Sequence, residues 1–354
     1  MEPLGNVGLD QINLTEGPAF EYDEQGLVTA YHQSHDQSST LTIKVLSIIG
    51  GIIATLSFLV FLGLSGVYES TTGLIILGIV FITVSVVLNV NYDRLILDTF
   101  SVTTLISGYA MLAFSLVTVE VDFSLACGLI ILIGLVALYL TQNFLYSFIN
   151  VLVICSSLFA ILLDLQTPVL IYIYLSLTAM ALVYIFFNEA NIITMRNRLS
   201  SLYDAVRIGL IFSFVALLSW TQNPEMLDIN PSMFWVTSIV NSLLLFYLIY
   251  HILDLLVVQT IVSRILIYGL TLLILVGIVF IPTISGSLLI LLLCYMVQYR
   301  LGLVIGIISL IVAVSKFYYD LNITLLNKSI LLFFTGIAFL VLFLLTSKIL
   351  KTDE

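Results

Sequence analysis

The stretch FLYSFINVLVICSSLFAILLDLQTPVLIYIYLSLTAMALVYIFF, residues 144–187, decides the fold. Two apolar runs, 144–164 and 168–187, are parted only by Leu165, Gln166 and Thr167, and Asp164 is the one charged residue in either. A bilayer core about 30 Å thick needs about 20 apolar residues per crossing helix, and each run has that length. Peptide groups in hydrocarbon find no water to bond to, so a crossing segment is a helix or part of a closed barrel. The runs lack the alternating polarity of barrel strands. Residues 144–187 therefore read as two helices crossing a membrane in opposite directions.

The same pattern fills the chain from residue 41 onward. Apolar runs fall at 45–67, 73–91, 99–119, 124–141, 144–164, 168–187, 203–220, 231–251, 262–281, 285–299, 302–317 and 325–347, which predicts about twelve spans. The tenth and eleventh are separated only by the break at Gln298–Arg300. As one helix, 285–317 would reach about 50 Å at about 1.5 Å per residue, too long for the core, so a hairpin of two short helices is expected. The fold class is all-α, a polytopic membrane helix bundle.

Composition points the same way. Of 354 residues, 61% are apolar and 9% charged, with a mean hydropathy of +1.19. Soluble domains average about 45–50% apolar and about 25% charged, which excludes a water-soluble enzyme. The net charge of −10 and the isoelectric point near 4.6 argue against nucleic acid, whose backbone calls for basic patches. Cys127, Cys155 and Cys294 all fall in apolar runs and read as reduced structural thiols.

Residues 1–40 differ from the rest. They carry seven acidic residues between Glu2 and Asp36 and no Lys or Arg, so they are not a signal peptide, which opens on a basic stretch. They read as an acidic cytoplasmic tail that stays disordered or folds against a partner, ahead of a transmembrane domain over 41–354. His32 and His35 stand three apart, but two histidines without further ligands do not make a metal site. No cofactor is expected.

Orientation follows from the cations, which concentrate on cytoplasmic loops. With an internal N-terminus and alternating spans, Lys44, Arg94, Arg196, Arg198, Arg207, Arg264, Arg300, Lys348 and Lys351 fall inside, and only Lys316 and Lys328 outside. That split, nine to two, places both termini in the cytoplasm and Trp220 and Trp235 at the outer headgroup level.

The spans carry no ionisable residue near their middles; Arg207, Arg264 and Lys328 sit near ends, within snorkelling reach of water. Coupled transporters and pumps usually keep such residues at depth. The polar residues that remain there are Asn150, Ser238, Asn241, Ser242, Thr103, Thr104 and Ser107, expected to hydrogen-bond between helices. Gly302 and Gly306 form a small-xxx-small spacing that lets two helices approach.

Two breaks carry candidate sites. The cytoplasmic stretch 188–202 is the longest internal loop; its Arg196 and Arg198 are candidate contacts for lipid head groups, or serve only to set topology. It has no glycine-rich phosphate cradle, so no nucleotide is expected. The outer stretch 316–329 is read as a turn between the last two spans. It gathers Lys316, Tyr318, Tyr319, Asp320, Thr324 and Lys328, either as a binding element for an anionic head group or partner, or as an interfacial anchor of tyrosines and lysines.

The order of residues there, Phe317-Tyr318-Tyr319, Leu321, Thr324-Leu325-Leu326, Lys328-Ser329 and then a final apolar run, resembles the C-terminal signature of a bacterial family, domain of unknown function 4401. The resemblance implies a multi-pass protein of the bacterial cytoplasmic membrane and association with other small membrane proteins. It implies no reaction. Charge-free spans and the absence of a catalytic constellation point to a non-catalytic subunit or partner in a membrane assembly; the alternative is an uncoupled permease or lipid-handling transporter. An enzyme is not expected.

Overall fold

A computed structural model of the chain describes residues 70–91, 95–141, 143–195, 197–221, 234–255, 261–279 and 281–320, with short pieces of 50–66 and single residues or pairs between 326 and 340. The described elements are helices: α1 Thr71–Asn91, α2 Leu95–Thr118, α3 Phe123–Leu140, α4 Phe144–Asp164, α5 Pro168–Phe187, α6 Glu189–Met195, α7 Asn197–Thr221, α8 Phe234–Leu255, α9 Ile261–Ile278, α10 Pro282–Met296 and α11 Arg300–Asp320. Eight of the described helices are long and apolar enough to cross a membrane, and two shorter apolar ones cover Ile267–Ile278 and Pro282–Met296. Among the described residues the elements are all helices, and the chain is membrane-embedded. The first and last expected spans, 45–67 and 325–347, lie mostly outside the described residues, as does the acidic tail.

The turns explain how so apolar a chain reverses within a few residues. Asp122 and Asn143 precede α3 and α4, and their side chains accept from the backbone N–H of Ser124 and Leu145 at 3.0 and 3.1 Å, so each helix start has a capped donor. Helix C-termini favour a left-handed residue, usually glycine. Here Glu120, Gln166 and Gln298 take that conformation, with φ of 57°, 50° and 55°. After α10 the N–H of Gln298 donates to the Tyr295 carbonyl at 3.1 Å and that of Tyr299 to Cys294 at 2.8 Å, which is the paired arrangement of a Schellman stop. The break expected at Gln298–Arg300 is therefore real, and 285–317 is a hairpin.

Two expectations for the loops are corrected. Residues 188–202 are not a loop: α6 occupies Glu189–Met195 and α7 starts at Asn197. Glu189 in the first turn of α6 suits the positive end of a helix dipole, and the segment has no proline or glycine to stop it. At the other break α11 runs on through Asp320. Lys316-Phe317-Tyr318-Tyr319 contains no helix breaker, so the 316–329 element begins as a helical turn.

The chain divides into two units, Met1–Gly108 and Tyr109–Glu354, with the boundary inside α2. In the first, Ser85 on α1 donates to the Ser101 carbonyl at 2.5 Å. Gly108 lies so close to Ile82 and the Gly78 carbonyl that a Cβ would not fit.

In the second unit the core is built around α10. Ten of its fifteen residues are buried, and Leu289, Ile290 and Leu293 pack with Ile171, Leu175 and Leu182 of α5, Phe214 and Leu218 of α7, and Leu245 and Leu248 of α8. At about 1.5 Å per residue α10 measures about 22 Å, short of a bilayer core, and its neighbours rather than lipid surround it. The expected glycine face is where α11 meets it. A Cβ on Gly306 would stand 3.1 Å from the Leu291 backbone, and one on Gly302 would collide with Cys294 and Tyr299. Asn150 also behaves as expected, accepting from the Tyr109 hydroxyl at 2.8 Å across helices. Thr103, Thr104 and Ser107 instead donate to carbonyls of their own helix, Phe100 for both threonines and Thr103 for the serine, because a hydroxyl on a helix reaches the preceding turn before it reaches a neighbour.

Gly306→Val drives branched carbons against backbone that cannot rotate away. It is expected to cost about 1–3 kcal/mol, read as a lower thermal midpoint of the detergent-purified protein.

Candidate functional site

Antiparallel succession brings the end of α5, the start of α7, the end of α8 and the α10–α11 turn to one end of the second unit. The contacts there are aromatic first. The Phe187 ring lies 5.4 Å from Tyr247 and 4.9 Å from His251. The Tyr203 hydroxyl donates to the Ile185 carbonyl at 3.5 Å. These ties close the helix ends around one cation.

That cation is Arg207, whose side chain is only 7% exposed. Its Nη1 donates to Glu189 Oε1 at 3.2 Å and its Nη2 to Asp204 Oδ1 at 2.6 Å. The guanidinium carbon stands 3.8 Å from the Tyr299 ring centroid, 4.9 Å from Tyr203 and 5.8 Å from Phe186. A planar, weakly hydrated guanidinium suits such a cage better than an ammonium would. The expectation that Arg207 snorkels to water is corrected: it points inward because α6 and the α10–α11 turn supply partners there. Tyr299 bears the cost of the arrangement. Burial pushes its phenol above the ordinary tyrosine value, and the neighbouring guanidinium opposes that push without cancelling it.

The two carboxylates differ from the cation they hold. Asp204 is 60% exposed and Glu189 29%, so both keep water on one side. Arg264, at the start of α9, lies 3.7 Å from Asp254 at the end of α8. Arg300, the first residue of α11, has no carboxylate within ion-pair distance among the described residues. Beside it opens a groove of about 400 Å³, lined by Ile252, Leu255, Tyr295, Met296 and Leu303 together with Gln298 and Arg300.

A second polar group lies inside the bundle where α8 meets the start of α10. Asn241 donates through Nδ2 to Ser285 Oγ at 3.3 Å and to the Pro282 carbonyl at 3.5 Å. Ser287 and Ser309 hydroxyls meet at 2.7 Å between α10 and α11. Asn241 Oδ1 and the hydroxyls of Ser238, Ser242 and Thr283 are buried without a hydrogen-bond partner among the described residues.

The residues singled out in the sequence fall elsewhere. Lys316, Tyr318, Tyr319 and Asp320 occupy the last turn of α11, with the two tyrosine rings edge to face at 6.1 Å. Thr324 and Lys328 lie outside the described residues, as does Arg196; Arg198 belongs to α7, but its side chain is not described. The Arg207 centre was missed. Its one local signal was Asp204, three residues earlier on the same helix; Glu189 and Tyr299 reach it only through the fold. Among the described residues no three His, Cys, Asp or Glu side chains gather as metal ligands, and Cys127, Cys155 and Cys294 are free thiols.

The sequence profile of the family described as Domain of unknown function (DUF4401) matches residues 40–349. The chain belongs to the DUF4401 family. Among curated proteins and solved structures, none matches it. In this DUF4401 chain the matched region takes in every described helix, and so the Arg207 centre and the groove beside it.

Replacing Arg207 and replacing its partners have unequal consequences. Arg207→Met leaves two carboxylates that water already reaches and an apolar side chain among the rings. The Glu189→Gln/Asp204→Asn double variant leaves a buried cation without a counter-charge, a change of about 3–5 kcal/mol. The double variant is expected to show the larger drop in thermal midpoint; equal drops would mean that the rings, not the charges, hold this end together.

Proposed function

We propose that this DUF4401 protein is a non-catalytic subunit of an assembly in the bacterial cytoplasmic membrane, crossing it about twelve times with both termini inside the cell. The distribution of Lys and Arg along the chain supports that sidedness. On that reading the Arg207 end, Arg264 and Arg300 lie at the cytoplasmic face.

The observation that carries the subunit reading is how the charged side chains at that end are engaged. Arg207 is held by two carboxylates and three rings, and the effect is to join α5, α6, α7 and the α10–α11 turn into one rigid end. Groups committed to mutual contacts hold a shape; they are not poised to move a proton or attack a substrate. The same end presents the outer sides of Asp204 and Asp254, 60% and 65% exposed, as polar surface that a partner segment could meet. On the proposed topology the acidic residues of 1–40 are on the same side of the membrane. The outer residues Lys316, Tyr318, Tyr319, Asp320, Thr324 and Lys328 remain candidates for a second contact on the opposite face.

An uncoupled permease or lipid-handling transporter is the second reading. It draws on the buried seam of Asn241, Ser238, Ser242 and Thr283, where four polar atoms have no described partner. Polar groups at depth beside the start of a short helix resemble in kind the discontinuous-helix sites of transporters.

Purification from native membranes in mild detergent, followed by mass spectrometry, separates the two. The subunit reading expects co-purifying polypeptides in fixed ratio, reduced when residues 2–40 are deleted. A defined solute retained by the isolated chain and lost in Asn241→Ala, with no polypeptide alongside, would favour transport. A reporter fused after Lys351 is expected to be active only inside the cell.

A further inference from the structure

We propose that the groove between the end of α8 and the α10–α11 turn holds one anionic phospholipid, its phosphate on Arg300 and its upper acyl chain along Ile252, Leu255, Met296 and Leu303. The order of chemistry along the groove is that of a lipid. Leu303 stands almost one turn inside α11, Ile252 and Leu255 lie in the last turn of α8, and Met296 ends α10. Gln298 and Arg300 follow the end of α10, in the turn and at the first residue of α11. Apolar walls below a single cation fit an amphiphile with an anionic head. They do not fit a soluble anion, which would gain nothing from the walls, or a neutral lipid, which would gain nothing from the arginine.

Charge accounting selects Arg300. Of the three arginines described at this end, Arg207 faces Glu189 and Asp204, and Arg264 faces Asp254. Arg300 alone of the three has no counter-charge within ion-pair distance among the described residues, and it lines the groove. The volume of about 400 Å³ lies within the range of small-molecule sites, about 300–1,000 Å³, enough for a head group and the top of a chain.

The site is also preformed. Gln298 is set by the helix stop, and Tyr299 is pinned with its ring 3.8 Å from the Arg207 guanidinium. Arg300 follows directly, so its backbone has little freedom, and little ordering remains to oppose binding. The buried arginine thereby positions the exposed one.

The test uses the full chain reconstituted in phosphatidylethanolamine vesicles with and without phosphatidylglycerol, then extracted in mild detergent and weighed intact by native mass spectrometry. A single retained phosphatidylglycerol, favoured over phosphatidylethanolamine and weakened by salt, is expected. Arg300→Gln should lower its retention about fivefold, which corresponds to about 1 kcal/mol, and Arg300→Lys should restore most of it. Retention of both lipids alike by the unaltered protein would overturn the proposal without any variant, and so would an adduct that survives Arg300→Gln unchanged. Competition by inorganic phosphate alone would assign the site to a free anion and overturn it too. The leaflet rests on the topology proposed above, but the binding does not. A reporter after Lys351 found outside would move the lipid to the outer leaflet and leave its Arg300 dependence intact.

Discussion

A peptide group inside a bilayer has no solvent to satisfy it, and this single constraint governs the structure of the protein. It obliges each crossing segment to close its own hydrogen bonds as a helix. Where the chain reverses, Asp122 and Asn143 cap helix starts and Glu120, Gln166 and Gln298 turn helix ends. The same constraint explains why α10, too short to cross alone, is sheathed by α5, α7, α8 and α11. Its early turns carry Thr283, Ser285 and Ser287, which in lipid would be costly and which here face neighbouring helices.

Hydrophobic burial contributes less to holding such a bundle together than it does in water, since lipid is as apolar as leucine. Close approach and polar contact take its place. Gly302 and Gly306 let α11 lie against α10, Gly209 admits Val151 between α7 and α4, and Gly286 receives Leu218 and Phe214. Asn150, Asn241 and Ser287 add hydrogen bonds between helices. The Arg207 centre does the same work at one end of the second unit, where two carboxylates that are themselves partly exposed hold the buried charge.

Much of this was legible in the chain as written. The lengths of the apolar runs located the described spans to within a few residues, the Gln298–Arg300 break located the last described hairpin, and the Gly302/Gly306 spacing located its contact face. Two stretches read as loops are helical instead, α6 and the last turn of α11. Polar residues punctuate both stretches, but none of them breaks a helix. The binding elements were harder. Lys316 and its neighbours drew attention as cations on the sparsely charged side. Arg207, by contrast, was one of nine on the expected side, and nothing in its surroundings along the chain distinguishes it except Asp204.

What the sequence determined alone is everything that depends on neighbours along the chain: that the protein is helical, that it lies in a membrane, where each helix runs and which faces are small enough to pack. Helical periodicity and apolar length are local properties, so they survive in one dimension. Which helix ends meet is not local. Only the tertiary structure brought Glu189, Arg207 and Tyr299 together, turned one arginine inward and left Arg300 facing an apolar groove. The strength of a charge contact depends on distance and on shelter from water, and the packed fold sets both.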